Sequence, residues 1–157
     1  MTSTIGVVKL RYKGSRTAAF ACGLDGKLYA LEDICATRYS TRVWDVEFTD
    51  QFGAWWETLA VEDQQGIDAA VRVLEQRGPG LGRPLVDSVV GSRHPNMKEL
   101  RVGTIRILFA FDPRRAAILL LGGDKRDRWQ EFYAQMIPLA DQLFDEHLAQ
   151  LESEGAP

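Results

Sequence analysis

The sequence predicts an α+β fold, with a helical hairpin packed on a mainly antiparallel sheet of about four or five strands and a C-terminal helix after it. Three observations predict this. An alternating, strand-like segment leads into two stretches of helical period, short apolar runs separated by turn residues come next, and a long stretch of helical period follows.

Residues 1–42 hold the apolar runs Ile5–Val8, Ala18–Cys22 and Leu28–Leu31, separated by Lys13-Gly14-Ser15 and Leu24-Asp25-Gly26. An Asp-Gly step between apolar runs is a hairpin signal, so this part reads as a β-rich N-terminal extension. At Val43 the texture changes. Trp44-Asp45-Val46-Glu47-Phe48 alternates apolar with acidic residues as a half-buried strand does, and Thr49 or Asp50 can cap a helix through Phe52, Trp55, Trp56 and Leu59. A second helix is predicted from about Glu62 to Gln76, where Ile67, Ala70, Val71 and Leu74 form one stripe and Gly78-Pro79 supplies the stop.

Leu85–Val90, Met97–Val102, Ile105–Asp112 and Ala116–Leu121 read as strands, with turns at Gly91-Ser92, Gly103-Thr104 and Asp112-Pro113-Arg114-Arg115. Ile118–Leu121 is apolar without alternation, as in a central strand covered on both faces. From about Arg128 to Leu151 the period is helical, and Pro138 is expected to kink this helix or split it in two. The expected domain is therefore residues 43–151, with residues 152–157 a flexible tail.

With 157 residues, the chain fits one domain plus an appendage. No stretch reaches the roughly 18 uninterrupted apolar residues that span a bilayer, and the N-terminus lacks a basic-then-apolar signal pattern, so a cytoplasmic location is expected with no membrane partner. The two cysteines, Cys22 and Cys35, are too few for a disulfide framework, and no Cys/His spacing suits a metal; neither metal nor cofactor is expected. The net charge of −3 hides a pattern: +4 over residues 1–43, −6 over 44–82, +5 over 83–128 and −6 over 129–157. A basic middle between acidic flanks points to a localised polyanion site, or else to solubilising arginines at a sheet edge.

Several strings are similar to the phage-derived, Gp-type branch of the HigB/RelE toxin superfamily. They are Trp44-Asp45-Val46-Glu47-Phe48-Thr49, Glu75-Gln76-Arg77-Gly78-Pro79, the run Gly91 to Arg101, Arg106-Ile107-Leu108-Phe109-Ala110-Phe111-Asp112, Gly123-Asp124-Lys125, and Phe132-Tyr133 through Ile137-Pro138-Leu139-Ala140-Asp141 to Asp145-Glu146-His147-Leu148. The resemblance covers nearly all of residues 43–148 and none of residues 1–42. It begins at Val43-Trp44, and valine is how an internal GTG start would be translated, so the extension is either a true appendage or upstream sequence added to the toxin domain.

The resemblance implies a RelE-like fold, cleavage of messenger RNA on the ribosome and control by a HigA-like helix-turn-helix antitoxin. In that superfamily the ribose 2′-hydroxyl attacks the adjacent phosphate without a metal and leaves a cyclic phosphate. The reaction needs a base, an acid for the leaving 5′-oxygen, and cations on the phosphate. Alternatives are a ParE-like toxin that traps DNA gyrase without chemistry, or a non-toxic nucleic-acid-binding domain.

Arg101 and Arg106 flank the Gly103-Thr104 turn on consecutive strands, and match to the family places them, as exposed strand arginines, over the scissile phosphate; ion pairing with Glu99 or Asp112 is their structural alternative. Lys125, matching the lysine the family carries at the end of this strand, is assigned phosphate binding or proton transfer, and Lys98 a similar role. His94, the histidine near the basic segment, suits acid or base work, while His147 on the acidic last helix reads as structural. Tyr133 can stack on a base or donate a proton, and Arg93, Arg114, Arg115 and Arg126 complete the candidate RNA-binding set. Better-known relatives end in an Asp-Tyr-His or Arg…Tyr set, whereas this chain ends in an acidic helix.

Overall fold

The computed structural model describes residues 20–22, 28–30, 44–126 and 128–155. In the N-terminal part, β1 (Phe20–Cys22) and β2 (Leu28–Ala30) pair antiparallel, with Phe20 opposite Ala30 and Cys22 opposite Leu28. This pairing matches the expected hairpin. Its Asp25-Gly26 turn, and the run Ile5–Val8, lie outside the described residues.

The remaining elements follow in the order β3 (Val46–Phe48), α1 (Asp50–Trp56), α2 (Val61–Arg77), a 3₁₀ turn (Gly78–Gly80), β4 (Val86–Ser88), β5 (Lys98–Val102), β6 (Ile105–Phe111), β7 (Ala117–Asp124) and α3 (Trp129–Ser153). Strands β3 to β7 form one sheet in the order β3-β7-β6-β5-β4, antiparallel except for the parallel pair β3 and β7. The expected α+β class and five-stranded sheet are present.

Local chemistry sets the element ends. Thr49 caps α1 by accepting from the Phe52 N–H at 3.2 Å, and its hydroxyl donates to the Leu120 carbonyl at 2.7 Å, which ties the helix start to β7. Gly78 ends α2 at φ +56, where a Cβ would collide with the Trp44 indole. Trp44 therefore packs on the end of α2, its backbone N–H donating to the Glu75 carbonyl at 2.7 Å, and the strand begins only at Val46.

The sheet is covered on both faces. Helices α1 and α2 lay Phe52, Trp56, Ile67, Val71 and Leu74 over Leu100, Ile105, Ile107, Phe109 and Leu119. Helix α3 lays Ala140, Leu143 and Phe144 over Leu108, Ala110, Ile118 and Leu120. The unbroken apolar run in β7 has this two-sided burial as its cause. The strand also runs further than its apolar part, through Gly122 and Gly123 to Asp124. A register shift at Leu108/Phe109, where Leu108 faces Leu121 but Phe109 faces Leu119, puts one extra residue into β7.

Helix α3 is one continuous helix of 25 residues with Pro138 inside it. Of the two expected outcomes, a kink or a split, the split does not occur: Pro138 is exposed, and the flanking turns are held by packing on the sheet. The helix also reaches two residues beyond the expected Leu151.

Gly122 lies against the Trp55 ring, and a Cβ there would collide with it. Gly122→Ala is expected to lower unfolding free energy by about 1–3 kcal/mol, the usual cost of overpacking a tight core. Urea denaturation checks this through a lower midpoint at unchanged slope; an unchanged midpoint would show that Trp55 moves aside freely.

Candidate functional site

Arg101 on β5 and Arg106 on β6 are directly opposed across the ladder, and Arg106 is opposed on its other side by Gly123 of β7. Because Gly123 has no side chain, α3 comes close here: a Cβ at Gly123 would lie 2.6 Å from Phe132 Cε2. That approach brings the next residue, Tyr133, onto the arginine pair. Its hydroxyl donates to Glu99 Oε2 at 2.5 Å.

Glu99 is the hub of this cluster. Its Oε1 accepts from Arg101 Nε at 2.7 Å and lies 3.9 Å from Arg106 Nε. Arg101 Nη2 also donates to Asp87 Oδ2 at 2.8 Å, a carboxylate shared with Arg83 at 2.7 Å. Arg106 turns Nη1 onto the carbonyls of Gly103 at 2.7 Å and Ile105 at 2.8 Å, while its buried Nε has no hydrogen-bond partner among the described residues. Lys125 follows just past β7, its backbone N–H donating to the Thr104 carbonyl at 3.1 Å. Arg101, Arg106 and Tyr133 thus meet at the end of the sheet marked by the β5–β6 turn, and the backbone of Lys125 is tied to the same turn.

Burial pushes the Tyr133 phenol up to about 12, reinforced by Glu99 and opposed by the Arg106 guanidinium beside it. The phenol is protonated at neutral pH and acts there as a donor. The Arg83 hydrogen bond holds Asp87 below the usual carboxylate range. The hydrogen bond to Glu99 pushes Arg101 higher still, so it keeps its charge.

The other expected site residues lie elsewhere. Arg106 is only 7% exposed, so the expectation of an exposed strand arginine is wrong: neighbours on β5 and α3 cover it. Lys98 alternates with Leu100 and Val102 onto the hairpin face of the sheet, opposite to Glu99 and Arg101. His94 sits at the far end, about 20 Å away along β6, with Nε2 2.7 Å from Asp145 Oδ1 and its ring edge-on to Phe144. Arg93 pairs with the same Asp145, and its N–H donates to Asp141 at 3.0 Å. Arg114 pairs with Asp112 at 2.7 Å and Glu47 at 2.9 Å, while Arg115 stands over the Trp44 ring. Arg126 stays near Lys125, paired with Asp124 at 2.9 Å.

His147 is structural, as expected. Its Nε2 lies 2.9 Å from Asp112 Oδ2 and clips α3 to the β6–β7 turn. Burial alone would raise the Asp112 carboxyl, but bonds from His147, the Ala116 N–H and Arg114 outweigh it and hold the group below its ordinary value. Sequence reasoning missed the carboxylate side of the site. Glu99 entered only as a rival partner for the arginines, and Asp87 and Arg83 not at all. The one available signal was Glu99 at i−2 from Arg101, which puts both on one face of a strand. Among the described residues, no group of His, Cys, Asp or Glu could hold a metal ion, and no helix is long and apolar enough to cross a membrane.

Comparison with known proteins places the chain in a family. The model of the phage-derived protein Gp49-like family (DUF891) matches residues 54–145, and the chain belongs to that family. Two relatives come from Mycobacterium tuberculosis (strain H37Rv). One, named "Putative toxin HigB2", is 52% identical over 108 residues, covering 66% of this chain and 54% of its own length. The other, named "Putative toxin HigB3", is 50% identical over 107 residues, covering 67% of this chain and 94% of its own. The chain thus spans about half the length of the first relative and nearly all of the second. Among solved structures, the RelE–RelB complex of Pyrococcus horikoshii OT3 aligns with a TM-score of 0.46 at 14% identity, over 54% of this chain and 98% of that one. The toxin–antitoxin complex RelBE2 of Mycobacterium tuberculosis aligns with a TM-score of 0.38 at 19% identity, over 53% of this chain and 99% of that one.

Two titrations check the electrostatics. In an alkaline absorbance titration, one of the four tyrosines is expected to ionise only near pH 12, and that late transition should vanish in Tyr133→Phe. Because the folded value exceeds the ordinary 10.0, the stability this phenol adds is complete below pH 10 and lost as pH rises towards 12. Asp112 has the opposite sign: its folded value lies below 3.8, so its stabilisation is complete above that pH and lost as pH falls through the folded value. Asp112→Asn should flatten the acid limb of unfolding free energy against pH; an unchanged limb would refute the Asp112–His147 clip.

Proposed function

We propose that this chain is a toxin of the HigB/RelE kind that cleaves ribosome-bound messenger RNA without a metal and is silenced by a partner antitoxin. Family membership and two relatives named as toxins support the toxin reading. The observation that carries the chemistry is the single network Arg101–Glu99–Tyr133 beside Arg106, with Lys125 anchored to the same turn.

Each group has a role that fits its state. Arg101 and Lys125 bind the non-bridging phosphate oxygens, and Arg106, with its unpartnered Nε, answers the charge that builds on them. Glu99, already the acceptor for Tyr133, takes the proton of the attacking 2′-hydroxyl. Tyr133 is protonated at neutral pH and gives its proton to the leaving 5′-oxygen. In this reading the pair does the work that a C-terminal acid–base cluster does in better-known relatives. Lys98, Arg93, Arg114 and Arg115 lie away from the phosphate and can serve only as outer RNA or ribosome contacts. A helix-turn-helix antitoxin of the HigA kind would silence the chain by covering the Arg101–Lys125 end, and residues 43–151 would be the active unit.

The test is to add the purified chain to translating ribosomes and map messenger 5′ ends. Arg101→Ala and Arg106→Lys are each expected to reduce cleavage by about 10²–10³, as loss of one transition-state contact does. Lysine at position 106 keeps the charge, and circular dichroism monitors the fold. Normal folding with undiminished cleavage would refute the assignment. Gyrase inhibition without cleavage would establish the ParE-like alternative.

A further inference from the structure

We propose that Trp129 is a stacking platform for a nucleobase of single-stranded RNA flanking the scissile phosphate, an inference that rests on the RNA-cleaving reading. Trp129 opens α3 and is 58% exposed, which is unusual for tryptophan in a folded domain. It lies at i−3 from Phe132 and i−4 from Tyr133, so the three rings share one helix face. Phe132 and Tyr133 are in edge contact with centroids 5.2 Å apart, and Tyr133 reaches Glu99. Trp129 thus stands about one helical turn, ~5.4 Å along the axis, before the residues that reach the arginine pair.

The charges around the ring suit a nucleotide. Lys125 has no ion-pair partner among the described residues, and Arg126 and Arg128 stand on either side of Asp127, which lies outside those residues. Arg126 pairs with Asp124 at 2.9 Å and Arg128 with Glu131 at 3.7 Å, both as exposed pairs. Such pairs are weak, and their arginines can turn to a phosphate. Single strands are bound by this combination of a flat aromatic face and nearby cations on the backbone.

An exposed aromatic can also belong to a protein-docking patch, but the surroundings favour a base. The other exposed large apolar residues among those described are Val61, Val90 and Leu139. Leu139 lies ten residues along α3, about 15 Å away. Val90 adjoins Gly91, which packs on Ile137, about 12 Å along the same helix. Neither Leu139 nor Val90 therefore adjoins Trp129 along α3, and the groups next to it in the chain are the cations Lys125, Arg126 and Arg128.

The experiment measures binding of an uncleavable 2′-O-methyl RNA oligonucleotide, and kcat/KM for messenger cleavage on ribosomes, for the full chain and for Trp129→Ala and Trp129→Phe. Loss of one stacked base should weaken oligonucleotide binding by about 5- to 150-fold in Trp129→Ala. It should lower kcat/KM by a similar factor, and Trp129→Phe should retain most of both. Wild-type binding and cleavage by a folded Trp129→Ala would overturn the proposal. So would intact RNA binding with lost affinity for the antitoxin, which would give the ring to a protein partner. If ribosomal messenger is never cleaved but oligonucleotide binding still depends on Trp129, the cleavage reading fails while the stacking site stands.

Discussion

The pairing of β6 with β7 is the interaction on which the rest of the structure depends. These two strands are the longest in the sheet and are buried on both faces. Phe109 and Leu119 anchor the α1–α2 hairpin, while Leu108, Ala110, Ile118 and Leu120 anchor α3. A strand apolar on both faces cannot end a layer, so each helical element has a seat waiting for it before it docks. The extra residue in β7 shifts alternation beyond Leu121, and this is what turns Gly122 to Trp55 and Gly123 to Phe132.

The same constraint distributes the charges. The apolar middle of β6 and β7 leaves room for their ionisable groups only near the strand ends, so the basic segment is divided between two ends of the sheet rather than pooled. At one end Arg101 and Arg106 meet Glu99, Asp87 and Tyr133; at the other Arg93, His94 and Arg114 are held by Asp141, Asp145, Asp112 and Glu47. Helix α3 reaches both, through Tyr133 near its start and His147 near its end. Its length of 25 residues, about 38 Å at 1.5 Å per residue, is what permits this.

The fold was legible because its signals are local. Strand positions along the chain followed from apolar runs and turn residues, and helix ends from Thr49 and from Gly78 before Pro79. What was hidden depended on contacts between distant segments. Nothing near Pro138 shows that the packing of Ala140, Leu143 and Phe144 keeps the helix whole. The site was half legible for the same reason. Cations stand out in a segment of charge +5, and a two-residue turn places Arg101 against Arg106 by geometry alone. Whether an arginine is solvated or buried depends on what α3 lays over it, about 30 residues later in the chain. Lys98 was misplaced for a simpler reason. One residue of offset in a strand reverses the face, so its nearness to Arg101 in sequence separates the two in space.

The carboxylates change what a cationic site means. In the free protein Arg101 is held by Glu99 and Asp87, Arg114 by Asp112 and Glu47, and Arg126 by Asp124, so the positive segment presents less field than its composition implies. A single phosphate approaching Arg101 must compete with two carboxylates already in place at 2.7 and 2.8 Å. An isolated anion gains little by that exchange, because it replaces one ion pair with another. A polymer fixed at several points, with its phosphate presented at the right place, starts from a much higher local concentration and can displace Glu99 from the guanidinium while leaving it against the ribose. Under the cleavage reading, the ion pairing that lowers affinity for free anions is also what frees a carboxylate for proton abstraction once an anchored substrate arrives.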